Sequence, residues 1–165
     1  MARKVVLAGA CRTAIGVMGG QFANTSAVEL GTIVIKEALK RAGVSPDQVD
    51  EVYMGNVIQA GNGQNPARQA AVYAGIPNEV PATTINVLCG SGLHCVNLAA
   101  KLIAAGDADI IVAGGMENMS MAPFAMMKGR YGYRMGSPMG KSELVDTMVN
   151  DALWDATGFN MHMGM

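Results

Sequence analysis

The sequence predicts an α/β fold built on a parallel-type sheet. Two observations carry this. Apolar strand-like runs at residues 5–10, 51–58, 82–88 and 109–113 alternate with helix-like segments. Such alternation implies parallel strands joined by right-handed crossovers. In addition, Cys11, Cys89 and Glu117 each follow a strand end, and in such sheets the site lies at the carboxyl ends of the strands. These three residues are therefore expected on one edge.

Taken in order, residues 5–10 read as a buried strand and residues 11–20 as a glycine-punctuated loop. Ser26, with Glu29 three residues later, forms a capping box. The helix it opens runs to about Ala42, with Glu29, Thr32, Lys36 and Lys40 on its polar face, and Gly43 is a natural stop. Ser45 and Pro46 begin a short helical turn. Residues 51–58 form the second strand, followed by a Gly/Asn loop at 60–65. Pro66 suits the first turn of a helix that ends near Gly75. Residues 82–88 are the third strand and residues 91–105 a helix closed by Gly106. The unbroken Ile110-Ile111-Val112 run reads as a fourth strand covered on both faces. Beyond Gly115 the alternation stops. Residues 116–140 show no clear period, and residues 142–154 read as helical with Ser142 as cap.

A chain of 165 residues is one domain by length and can bury a sizeable core. Half of it is hydrophobic and 15% is charged, which suggests that other protein covers part of its surface. A formal net charge of −1 offers no basic field for nucleic acid. No signal-peptide core follows Met1, and no apolar run is read as reaching transmembrane length. The 3 cysteines lack C-x-x-C spacing and the 2 histidines are far apart, so no metal site is expected. An odd cysteine count without a secretion signal fits a reducing cytoplasm. Many of the 14 methionines fall after Gly115, as in surfaces that pack against other surfaces.

Cys89 stands where an apolar strand meets a glycine turn and a helix, in Asn86-Val87-Leu88-Cys89-Gly90-Ser91-Gly92. A thiol there faces the positive end of a helix and its unpaired N–H groups. That setting favours the nucleophilic thiolate, and Gly90 and Gly92 leave room for a substrate. The local pattern is equally compatible with a small buried core cysteine. Gly90-Ser91-Gly92-Leu93-His94-Cys95 resembles a dinucleotide-binding turn, but Cys95 replaces the glycine that packs helix against strand. His94 shares a polar helix stripe with Asn97 and Lys101, which reads as a solvated or interface face. Cys95 reads as inert packing, Cys11 as structural, and Asp107 and Asp109 as turn-flanking residues. His162, in an apolar setting, is either a tucked-in histidine or a pocket wall.

Five segments in register carry a more specific signal. They are Arg12-Thr13-Ala14-Ile15-Gly16, the run from Gly61 through Gln64-Asn65-Pro66-Ala67-Arg68 to Ala71, the Cys89 segment from Asn86 to Leu93, Val112-Ala113-Gly114-Gly115-Met116-Glu117-Asn118-Met119-Ser120, and His162-Met163-Gly164. With these motifs the chain resembles the N-terminal part of a thiolase of the acetyl-CoA acetyltransferase type.

The resemblance implies the N-terminal half of a thiolase-like fold, with an incomplete α/β core over residues 1–118 and the start of an irregular loop domain over 119–165. It implies that Cys89 takes up an acyl group as a thioester. The backbone N–H groups of Cys89 and Gly90 would hold the oxyanion, and His162 and Met163 would line the pocket for the acyl group and pantetheine end. The substrates would be acetyl-CoA or acetoacetyl-CoA, joined or cleaved by Claisen chemistry, with no covalently bound cofactor. Family members are much longer. The activating histidine, a proton-shuttling second cysteine and most CoA-binding residues are expected on polypeptide outside this chain. A complementary thiolase chain and a homo-oligomer, dimer or tetramer, are the expected partners, with no nucleic acid and no membrane. Two other functions stay open. One is a ketoacyl-synthase-like condensing enzyme; the other is an inactive fragment that serves only in binding or assembly.

Overall fold

The computed structural model describes residues 3–132, 143–158 and 162. Helix α1, Ala27–Ala42, begins at the expected capping box: Glu29 N–H donates to Ser26 Oγ (3.1 Å), and Ser26 N–H donates to Glu29 Oε2 (2.7 Å). It ends at Gly43, whose left-handed φ of 66° costs glycine nothing. Val28, Gly31, Ile35 and Leu39 recur at three- and four-residue spacing and form its buried stripe. Helix α2, Pro66–Tyr73, is capped by Asn65, whose Oδ1 accepts from Arg68 N–H (3.2 Å). Its small residues Ala67, Ala70 and Ala71 let it approach closely, and α1 packs on α2 where Gly31 meets Ala70.

Strands β1 (Glu51–Gly55), β2 (Ala82–Ile85) and β3 (Ile111–Gly115) form a parallel sheet in the order β2-β1-β3. The register pairs Val52 with Ala82 and with Val112. Helix α3, Ser91–Ala105, packs on β1 and β3, and α2 packs on β1 and β2. Val52, Met54, Ile35, Leu39, Ala70 and Met116 lie in one buried core cluster.

The structure departs from expectation in six places. Residues 5–10 form no strand and are not buried: Val6 is 70% and Leu7 79% exposed. An apolar run becomes a strand only when a neighbour takes its backbone hydrogen bonds. Here the run touches α1, with Gly9 against Ala38 O, while an apolar cavity of about 560 Å³ lies between it and β3 and α3. For the same reason β3 is only half-buried rather than covered on both faces.

Strand β1 stops at Gly55 instead of residue 58, because the N–H groups of Val57 and Ile58 turn to the Glu117 carboxylate. Strand β2 stops at Ile85 because Leu88 N–H turns back to Asn86 Oδ1.

The helix expected at 142–154 is a short strand β5 (Val145–Asp146) and a π-helical turn, Val149–Leu153. Buried Thr147 donates to Pro123 O (2.6 Å), tying this stretch beside β4, Phe124–Ala125, with which β5 pairs antiparallel. Asp146 Oδ1 accepts from Met148 N–H (2.9 Å) and takes the capping place expected of Ser142, which lies outside the described residues.

Finally, the 18 residues Leu88–Ala105 reach a mean hydropathy of 1.3, long and apolar enough by composition to cross a membrane, against the sequence reading. In the fold this segment includes α3, whose Ser91, Cys95 and Ala99 are buried in the packing on β1 and β3.

Candidate active site

Cys89 sits on the turn between β2 and α3, with its side chain exposed. Backbone and Ser91 together shape this turn. Leu88 takes a left-handed φ of 54°, uncommon for a residue with a branched side chain. Buried Ser91 closes the turn: Val87 N–H donates to Ser91 Oγ (3.0 Å), which donates to Leu88 O (2.5 Å). Gly90 stands at the helix N-cap with no side chain capping α3. Cys89 thus projects at the uncapped, positive end of a helix.

The thiol opens onto a cavity of about 390 Å³ that it shares with Val57, Ile58, Met116, Glu117 and Leu153. This size falls within the range of small-molecule sites. Among the described residues, Glu117 is the one carboxylate lining it. Burial pushes its carboxyl above the usual range, while hydrogen bonds from Val57 N–H, Ile58 N–H and Asn56 pull it back down. Asn56 Nδ2 lies 2.7 Å from Glu117 Oε1.

Cys89 and Glu117 therefore meet, as expected. Cys11 lies on the larger cavity, which Glu117 also borders, and not on the one at Cys89; its thiol donates to Val34 O (3.3 Å). Cys95 is fully buried and burial raises its thiol pKa, in keeping with packing. His94 is exposed on α3, on the side expected to be polar. Asp109 flanks the turn before β3 and pairs with Arg3 (2.5 Å). His162 is half-buried and bridges to Trp154, one residue from the cavity-lining Leu153. Met163 lies outside the described residues. Sequence reasoning did not single out Ser91, Asn86 or Asn56. Asn56, and Asn86 in its bond to Val57, have partners remote in sequence, whereas Ser91 bonds within its own turn and carries only the signal of a small hydroxyl between two glycines.

Residues 5–165 match the family model for the thiolase N-terminal domain. The chain belongs to the thiolase family. It is 58% identical to an acetyl-CoA acetyltransferase of Cupriavidus necator over 161 residues, covering 98% of this chain and 40% of that protein. It is 55% identical to an acetyl-CoA acetyltransferase of Syntrophomonas wolfei over 166 residues, covering 100% of this chain and 41% of the relative. A probable acetyl-CoA acetyltransferase of Escherichia coli is 51% identical over 164 residues, covering 99% of this chain and 40% of that protein. The chain thus spans about two fifths of the length of these thiolase relatives.

Proposed function

We propose that this chain is the nucleophile-bearing part of an acetyl-CoA acetyltransferase. The observation that carries the reading is the exposed Cys89 thiol at the uncapped start of α3, opening onto the 390 Å³ cavity. The thiolate would attack the carbonyl of acetyl-CoA, and the CoA thiolate would leave. The developing oxyanion would sit against the backbone N–H groups of Cys89 and Gly90. The resulting acetyl-Cys89 thioester stays activated, so a carbanion from a second acetyl-CoA can attack it, releasing acetoacetyl-CoA and the Cys89 thiolate. Coenzyme A thioesters are thus substrates, with His162 and Met163 as walls of the acyl pocket. We read residues 1–118 as the catalytic core and 119–165 as the start of a loop domain, working as part of an oligomer in the cytoplasm.

This chemistry needs a base for the thiol and for the α-proton. Among the described residues, the titratable groups on the cavity are Cys89 and Glu117, so a complementary thiolase segment would provide it. The larger cavity supports that need: it leaves the outer edge of β3 and residues 5–10 facing each other across apolar space. A second reading, a binding or assembly module, rests on the same lack of a histidine base on the described cavity. The two separate on co-expression with the C-terminal three fifths of the Cupriavidus necator relative. Acetoacetyl-CoA thiolysis that disappears in Cys89→Ala supports the enzyme. Stable association without turnover supports the module.

A further inference from the structure

We propose that Glu117 is a positioning residue for Cys89, acting through Val57 and Asn86 on the turn that presents the thiol. The proposal rests on the reading of Cys89 as acyl acceptor.

Three N–H donors converge on this carboxylate. Val57 N–H donates to Oε2 (2.8 Å), while Ile58 N–H (3.3 Å) and Asn56 Nδ2 (2.7 Å) donate to Oε1. A carboxyl group offers acceptor lone pairs on both oxygens; a glutamine in its place would offer one acceptor oxygen and turn an N–H donor toward other donors. Asn56 is buried and also donates to Met116 O (3.2 Å), which adds to the backbone bond from Met116 N–H to Gly55 O (2.9 Å) where β1 and β3 end.

The connection continues toward the thiol. Val57 C=O accepts from Asn86 Nδ2 (3.5 Å), and Asn86 Oδ1 accepts from Leu88 N–H (3.0 Å). Leu88 is the left-handed residue directly before Cys89. Ser91 holds Leu88 by its carbonyl and Asn86 holds it by its N–H. Glu117 fixes Val57, Val57 orients the Asn86 amide, and Asn86 keeps Leu88 in the conformation that aims Cys89 into the cavity. Because Glu117 lines that same cavity, its charge also bounds the space a thioester would occupy.

The test uses Glu117→Gln, Asn86→Ala and the double variant of this chain, with two readouts. The first is hydrogen exchange at the Leu88 amide. Each single variant is expected to speed it by about tenfold or more, and the double variant to add little, as for members of one chain of contacts. The second compares Cys89 acetylation by acetyl-CoA with Cys89 alkylation by iodoacetamide, in the presence of the C-terminal part of the Cupriavidus necator relative. A small alkylating agent needs no aiming, whereas acyl transfer does. Acetylation should fall about tenfold or more, with alkylation within about twofold of the parent. Unchanged Leu88 exchange in either single variant overturns the proposal, as does acetylation at the parent rate. Equal losses in both reactions would mean a general loosening, and also overturn it. If the parent chain is never acetylated, the acyl-acceptor reading fails, and Leu88 exchange alone decides whether Glu117 positions the turn. Asn86 is exposed, so Asn86→Ala keeps the test valid if Glu117→Gln does not fold.

Discussion

A Cβ added to Gly55 would lie 2.7 Å from Ser91 Cβ and 2.8 Å from Gly92 N. The end of β1 and the start of α3 are therefore in direct backbone-level contact beside Cys89. No side chain can enter without moving α3, because the opposing atoms belong to the helix itself. Gly55→Ala is expected to cost about 1–3 kcal/mol, as overpacking does. Urea denaturation measures this, with a lower midpoint and an unchanged slope.

Ser91→Ala should loosen the turn from the other side. Its hydroxyl is buried between Val87 N–H and Leu88 O. Removing it leaves the part-buried Val87 N–H without its acceptor, a loss of about 1 kcal/mol. Thermal unfolding reads the stability loss, and faster exchange of the Val87 amide shows where it arises.

The three cysteines should separate by reactivity. Cys89 is exposed, Cys11 is half-buried with its thiol donating to Val34 O, and Cys95 is fully buried. Iodoacetamide followed by peptide mass mapping should find Cys89 modified first. Cys95 should be modified only after unfolding in urea. Early labelling of Cys95 would contradict the packing of α3 on the sheet.

Glu117 should leave a mark on stability against pH. Burial holds its folded carboxyl above the ordinary glutamate range. Between that range and the raised folded value, the folded chain keeps a proton that the unfolded chain has released. Stability from this group is thus full below the ordinary range and is lost as pH rises through the folded value. Asp50 has the opposite sign: Ile110 N–H and Asp109 N–H lower its carboxyl, so its contribution is lost only as pH falls. Above the ordinary carboxylate range Asp50 is ionised in both states, which leaves Glu117 visible. Glu117→Gln should flatten the decline, by at most about 1.4 kcal/mol per pH unit. Chemical denaturation across pH 4.5–7 measures it.

Local chemistry made the helices legible. Ser26, Glu29 and Gly43 bound α1 by interactions within a few residues of chain, as Asn65 and Pro66 begin α2 and Gly106 ends α3. Cys89 was legible as a thiol at a strand-to-helix turn. The strand limits were not, because each depends on where remote groups capture the backbone: Glu117 draws Val57 and Ile58 out of β1. Residues 5–10 have the composition of a strand, but composition does not reveal that no described neighbour pairs with them. The stretch at 145–153 misled in the same way, since Thr147 is anchored to Pro123, 24 residues away. The brace from Glu117 through Asn86 was invisible for the same reason, as its links span 60 and 29 residues.

The most direct test of the central claim is the intact mass of this chain, purified from its natural host with whatever accompanies it, after exposure to acetyl-CoA. The account predicts a gain of one acetyl group, absent in Cys89→Ala. An unmodified mass, with Cys89 still open to alkylation and companion thiolase polypeptide present, would contradict it.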